Sequence, residues 1–502
     1  MENNVSELMQ GFAIALTLPH LGLMVVGVLI GILVGVLPGL GAPNGVSLLL
    51  PLTFGMQPVS AIILLSSMYW GALFGGSVTS ILFNIPGEPS SVATTFDGYP
   101  MARDGRATTA LATAFGSAAF GALSGVVLIT LLASWVASVA LQFGPAEYFA
   151  VYFLAFSSFI GMGGARPSKT VVSLAIGFAL AAVGIDTVSG NVRLTMGVDE
   201  LVKGVSFVVA VMGLFGIGEL MIAVEDEMKV KGVNSKVEWR EVVRTIVHLP
   251  RHGWALLRSA AIGCWMGITP GGPTAASFMS YAIARRVSPR RDNFGRGEQE
   301  GIIAPETADH AAGTSALLPM LSLGIPGSAT AAVMMGGLMI WGLNPGPMLF
   351  IEQKDFVWGL IASMYLGNVV SLVLVLLTVP IFAAMMRVPF FIIAPLIFIV
   401  ITVGAYSVSN SYLDVLLMMG FGVLGFLFKK LDYPVAPLVL AMVIGDKAED
   451  AFRQSMLLSN GSLGIFFSNG LVSTVMALGF AFLLLPLIAR LWSRRRTALG
   501  RA

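Results

Sequence analysis

Four short Pro-Gly segments carry the chemistry of this sequence. Gly35-Val-Leu-Pro-Gly-Leu-Gly-Ala-Pro43 is echoed by Gly267-Ile-Thr-Pro-Gly-Gly-Pro273, and Asn84-Ile-Pro-Gly-Glu-Pro-Ser-Ser91 by Gly324-Ile-Pro-Gly-Ser-Ala-Thr330. In each half the Ile-Pro-Gly follows the first Pro-Gly by roughly fifty residues, the mark of a duplication. Proline removes a backbone donor and glycine admits conformations closed to other residues, so each pair interrupts a helix. In lipid the amides and carbonyls so opened are tolerated only where protein buries them or a polar cavity receives them. A lone Pro-Gly reads as a simple kink. Paired breaks at corresponding positions of two halves point instead to a binding site.

Helix starts exposed by such breaks attract anions. Hydroxyls follow both breaks, Ser90, Ser91, Thr94 and Thr95 in the first half and Ser328 and Thr330 in the second, while Asn44 and Thr274 follow the hairpin tips. The candidate site for a small acid is therefore Asn44, Asn84, Pro86, Gly87, Glu88, Ser90, Ser91, Thr274, Pro326, Gly327, Ser328 and Thr330. The carbonyl ends at the tips, Pro38, Gly39, Gly41, Pro43, Pro270, Gly271, Gly272 and Pro273, together with those at the broken helices, suit a cation such as Na+. No Arg or Lys falls in these segments, so recognition would rest on amides and hydroxyls. The same Ser and Thr residues serve equally well as caps of their own helices. Glu88, an acid at a break in an apolar region, suits a coupling proton, a bound cation or a helix cap. Glu306, Asp309 and His310 are expected on a solvated cytoplasmic face. Glycines 27, 31, 35 and 39 form a smooth stripe for close helix packing.

The elements that must position these residues are membrane helices. The chain has 502 residues, 56% hydrophobic and 11% charged, against about a quarter charged in soluble domains. Apolar runs of about 20 residues, the length that crosses a bilayer, recur from Leu21 to Leu491. An all-α polytopic membrane protein with about 10–12 spanning helices follows. Formal net charge is only +2, which gives no reason to expect nucleic acid binding. Cys264 reads as a packed core residue. The absence of HExxH, DDxxD and Gly-x-Ser-x-Gly patterns argues against a membrane-embedded enzyme, and two separately broken halves argue against the continuous polar path of an anion channel.

No Lys or Arg occurs before Arg103, and basic residues then cluster at 103–106, 166–169, 229–258, 285–296 and 490–501. The positive-inside tendency makes these cytoplasmic, with the N-terminus periplasmic and the C-terminus inside. The first Pro-Gly element has no basic flank and the second is bracketed by Arg251, Arg258, Arg285 and Arg286. Two inverted repeats follow: residues 1–224, with hairpin 20–55, a broken helix around 84–91 and scaffold helices 108–224, and residues 252–502, with hairpin 252–287, a broken helix around 323–330 and scaffold helices 356–490. Residues 225–251 form a cytoplasmic linker.

At these residues the chain resembles the large membrane subunit, TctA, of the tripartite tricarboxylate transporter family. The likeness is densest across Tyr69-Trp-Gly-Ala-Leu-Phe-Gly-Gly76, Asn84-Ile-Pro-Gly87 and Asp97-Gly-Tyr-Pro-Met-Ala-Arg103, and resumes through Gly267-Ile-Thr-Pro-Gly271, Ala304-Pro-Glu306 and Leu323-Gly-Ile-Pro-Gly-Ser-Ala329. It implies import of citrate-like or dicarboxylic acids across the bacterial inner membrane, driven by Na+ or protons. It also implies a TctB-like small membrane subunit, a TctC-like periplasmic binding protein and elevator motion, with no further cofactor. Asp309-His310 stands where the family usually has two asparagines. In a chain lacking Cys264, single cysteines placed in 225–251 and in 285–296 are both expected to label from the cytoplasmic side only; labelling of one loop alone removes the inverted arrangement.

Overall fold

The computed structural model describes residues 2–37, 40–162, 166–186, 189–225, 237–385 and 390–499. It is 83% helical, with one two-stranded hairpin pairing Gly184–Ile185 with Val192–Arg193. In the first half α1 (Glu2–Ala15) precedes a helical hairpin of α2 (Leu18–Val36) and α3 (Gly41–Leu49). Then come α4 (Pro58–Phe83), the Ile-Pro-Gly break and α5 (Val92–Met101). A π turn at Ala102–Arg106, with Gly105 at φ 84°, leads into α6 (Ala107–Ala140). The half closes with α7 (Pro145–Met162), α8 (Pro167–Ala181), α9 (Phe207–Val211) and α10 (Gly218–Glu225), the last two joined by a π segment at Met212–Ile217.

An amphipathic helix, α11 (Trp239–His248), leads to the second hairpin, α12 (Gly253–Ile268) and α13 (Pro273–Val287). Where α4 runs unbroken, its counterpart divides at Ala316 into α14 (Glu300–Ser315) and α15 (Leu317–Leu323). After the second break follow α16 (Ala329–Ile340), the short α17 (Leu349–Glu352) and the long α18 (Lys354–Met385). The chain ends in α19 (Phe390–Ser409), α20 (Tyr412–Lys430), α21 (Val435–Leu458) and α22 (Gly470–Leu499).

Among the described residues six helices are long and apolar enough to cross a membrane alone, and shorter apolar helices of 10–17 residues, such as Ala329–Ile340, accompany them. On α6 the exposed large side chains are Leu123, Val127, Leu131 and Trp135, and on α18 Val369, Val373, Leu377 and Ile381. Both sets recur every fourth residue, an apolar stripe that water would punish and lipid accepts. The protein is a multi-pass membrane protein.

The glycine stripe of α2 lies on α4. A Cβ at Gly27, Gly31 or Gly35 would fall 2.6, 2.1 and 2.0 Å from the carbonyl oxygens of Leu64, Met68 and Ala72, so the backbones touch. Gly39 lies outside the described residues. In the second half Gly263 and Gly267 meet the carbonyls of Ala308 and Ala312 on α14 in the same way, each at 2.4 Å. The halves also exchange contacts reciprocally: α6 packs on α14 while α18 packs on α4, and α3 touches α16 while α13 touches α5. Helices α7 to α10 and α19 to α22 form a second group that meets the first chiefly through α3 and α16. Overpacking a close contact costs about 1–3 kcal/mol. Gly31→Val is therefore expected to lower the melting temperature of the purified protein, whereas Gly22→Val, with nothing within 4 Å of its Cβ, leaves it near wild type.

Candidate functional site

Both breaks are built alike. Helix α4 ends at Asn84 in the left-handed conformation (φ 58°, ψ 29°) and α15 at Gly324 (φ 68°, ψ 30°). The amides of Ile85 and Ile325 reach back to the carbonyls of Thr79 and Pro319, at 3.3 and 3.2 Å. Four residues past each cap the chain is extended, at Glu88 (φ −134°, ψ 157°) and Ser328 (φ −145°, ψ 168°), and a new helical segment starts. Asn substitutes for Gly at the first cap because it is among the residues that enter the left-handed region at low cost. Each break glycine sits on its own hairpin: a Cβ at Gly87 would lie 2.2 Å from the Gly35 carbonyl oxygen, and one at Gly327 2.9 Å from that of Gly267.

The hairpin tips are tied to the same breaks. The Ala42 amide donates to Glu88 Oε1 at 2.5 Å, and the Gly271 amide donates to the Gly327 carbonyl at 3.0 Å. Between them lies a cavity of about 440 Å³. Gly41, Pro43 and Asn44 line it from the first tip, Pro86, Gly87, Glu88 and Ser90 from the first break, Pro273 from the second tip, and Ser328 and Thr330 from the second break. A neighbouring cavity of about 390 Å³ shares Pro273 and Ser328 and adds Gly271 and Gly327. All four interrupted segments thus meet around joined chambers of a size usual for small-molecule sites.

Other sequence candidates stand outside these chambers. Asn84 is an exposed helix cap. The Ser91 hydroxyl turns back to the Glu88 carbonyl at 2.9 Å and accepts from the Ser80 hydroxyl at 3.1 Å. Pro270 accepts from Ser158 through its carbonyl, at 2.7 Å, and neither Pro326 nor Gly272 lines either chamber. Pro38 and Gly39 lie outside the described residues, as does the side chain of Thr274. Thr95 bonds within its own helix, to Val92 O at 2.7 Å. Ser328 both lines the cavity and caps α16 by accepting from the Ala331 amide at 3.1 Å, so the capping and binding readings coexist there.

The expectation of a solvated face at Glu306, Asp309 and His310 is corrected: all three are buried, at 1%, 6% and 0% exposure. Helix α14 is enclosed by α4, α5, α6, α12 and α13, an arrangement no local sequence pattern encodes. Asp309 lines the cavity and engages the Ser90 hydroxyl. Sequence reasoning also passed over Tyr69 and Phe215, which line the cavity, and the Glu219–Lys429 ion pair on its more exposed side. The chamber thus carries a lysine from the second helix group, although no cation lies in the broken segments themselves. A clue to Asp309 lay in its apolar flanks, Ile302-Ile303 and Leu317-Leu318; Lys429, at the end of an ordinary helix, offered none.

Two helical hairpins and two broken helices meeting around one chamber inside a membrane protein are an arrangement found in carriers. The chain belongs to the tripartite tricarboxylate transporter TctA family, whose profile matches residues 21–440. It is 36% identical over 504 residues to an uncharacterised 52.8 kDa protein of the TAR-I ttuC' 3' region of Agrobacterium vitis, covering 99% of this chain and 98% of that one. It is 33% identical over 234 residues to an uncharacterised protein of the TAR-II ttuC' 3' region of the same organism, covering 46% of this chain and 97% of the relative. No solved structure matches.

A hydrogen bond to a charged group contributes about 1.5–3 kcal/mol, so Glu88→Ala is expected to speed amide exchange over residues 40–45 by at least about tenfold in hydrogen–deuterium exchange. Glu88→Gln, which keeps an acceptor for the Ala42 amide, is expected to fall between Ala and wild type.

Proposed function

We propose that this chain is the permease subunit of a secondary carrier that imports tricarboxylates or related small carboxylates across the bacterial inner membrane. It receives its cargo from a periplasmic binding protein and works beside a small membrane subunit. The observation that carries this reading is the single chamber lined by the helix starts of both breaks and by both hairpin tips. Amides, hydroxyls and the Lys429 ammonium suit carboxylate groups, and Leu40, Leu73 and Phe215 suit a short carbon skeleton.

The charges of the chamber support ion coupling. Glu88 and Asp309 face the same space as an incoming anion, and Lys429 is engaged by Glu219. Like charges at such range repel strongly unless cations accompany the guest. Protons or Na+ that enter with the acid would remove that cost, which is the physical content of symport. Na+ would be held by carbonyls at the breaks and tips.

The reciprocal contacts between halves fit a two-fold axis, and the charge distribution favours an axis in the membrane plane, with the repeats inverted. The two helix groups, meeting chiefly through α3 and α16, are the natural bodies for an elevator movement. The Lys429-Lys430 turn beside the chamber falls on the cytoplasmic side by its charge, so the conformation described is inward-facing.

The test is uptake of labelled citrate and succinate into sealed vesicles holding the protein and its partners. Accumulation is expected only with an ion gradient; uptake indifferent to every gradient overturns the coupling. Gly87→Val and Gly327→Val are each expected to abolish uptake while still inserting into the membrane, and full transport in both returns the breaks to the status of kinks.

A further inference from the structure

The cavity does not use every buried acid of this protein. One turn of α14 before His310, the Glu306 carboxylate is held by two hydroxyls from the other half: Ser77 of α4 donates to Oε2 at 2.8 Å and Thr94 of α5 to Oε1 at 2.5 Å. The described residues place no Lys or Arg against it. The one basic group in reach is His310, whose Nδ1 lies 3.8 Å from Oε2. That nitrogen is also 3.2 Å from the Glu306 carbonyl oxygen, an obligate acceptor, so it carries the hydrogen of the neutral ring. The lone pair of Nε2 is then buried with no partner, in a side chain at 0% exposure. The ring packs on Phe74 with centroids 4.7 Å apart, a surface that favours an imidazolium over a neutral ring.

The structure assigns Glu306 and His310, we infer, as the proton-binding site of the carrier, with Nε2 as the seat of the transported proton and Glu306 as its counter-charge. This rests on the carrier reading and goes beyond it by naming the coupling ion and where it sits. Binding forms the Nε2–H bond as an O–H bond of a hydronium ion breaks and releases water; the pair becomes neutral as a whole, whereas an unbalanced charge at this depth is costly. Other titratable groups facing this helix are already committed or distant. Tyr69 of α4 and Glu88 border the cavity, Asp97 of α5 is saturated by the amides of Gly295, Gly297 and Glu298 and by the Tyr281 hydroxyl of α13, and Arg258 of α12 pairs with Glu300 at 3.0 Å. Cys264 lies on α12, Arg285 and Arg286 of α13 point to the exposed side, and α6 contributes no titratable residue. Asp309, three residues on and therefore a surface neighbour on the helix, links the pair to the cavity. Thr94 links Glu306 to the helix that follows the first break, so the net charge of the Glu306–His310 pair acts on the part of the fold that grips the guest.

The experiment uses the full chain with its companion membrane subunit in Na+-free proteoliposomes, the periplasmic binding protein outside, a pH dye trapped inside, and labelled succinate and citrate as probes. Wild-type protein is expected to acidify the lumen as acid enters. Glu306→Gln and His310→Gln are expected to lower the number of protons per acid by at least about tenfold, while both still exchange labelled acid across the membrane in counterflow. His310→Gln leaves the Ser77 and Thr94 bonds in place and carries the test if Glu306→Gln does not fold. An unchanged proton ratio in a folded variant overturns the assignment, and so does wild-type transport that moves no protons. No exchange of either acid by the wild type overturns the carrier reading itself, an outcome separable from the other two.

Discussion

Two glycines seated on two carbonyls hold this architecture together. Gly87 rests on the Gly35 oxygen and Gly327 on the Gly267 oxygen, at distances no side chain would permit. Lipid cannot satisfy an open backbone group, so a helix may be interrupted at membrane depth only if another piece of chain closes over the gap. Each hairpin does this for the break in its own half and is bonded there, through Ala42 to Glu88 and through Gly271 to Gly327. The glycine rows that press α2 onto α4 and α12 onto α14 bring the hairpins close enough for this to happen. Once these contacts are made, the chamber between them is what remains.

Contacts across the halves then fix the chamber's walls. Helix α14 is surrounded by elements of the first half, and its acids are satisfied by first-half hydroxyls: Glu306 by Ser77 and Thr94, Asp309 by Ser90. Ser277 of the second hairpin donates in turn to the Ser90 carbonyl, at 2.6 Å. Neither half could fold this region alone without stranding buried polar groups, which at such depth cost several kcal/mol each, about the stability of a small domain in sum.

The backbone of the site was legible in the sequence because Pro-Gly spacing reports directly on where helices must stop. The caps at 84 and 324, the hairpin turns and the stripe at 27, 31 and 35 all follow from local conformational rules. Asn84, which the sequence offers to the site, is a left-handed helix cap that lines neither chamber, and the residue type that permits such a cap also carries a binding amide. Glu306, Asp309 and His310 read as solvated by their charged flank, yet their burial is set by α4, α5 and α6 of the other half together with α12 and α13, which close around α14. Lys429 belongs to the same class: its place beside the chamber follows from how α20 packs on the π segment of the first half, which no pattern within α20 announces.

The two breaks give the chamber a frame of like backbone turns with unequal furnishings. At the matched position after each left-handed cap, one half presents the carboxyl of Glu88 and the other the hydroxyl of Ser328. A guest whose two ends are identical gains nothing by turning end for end in such a frame. One whose ends differ in charge or in hydrogen-bonding capacity has a preferred heading, set by the side chains rather than by the backbone turns.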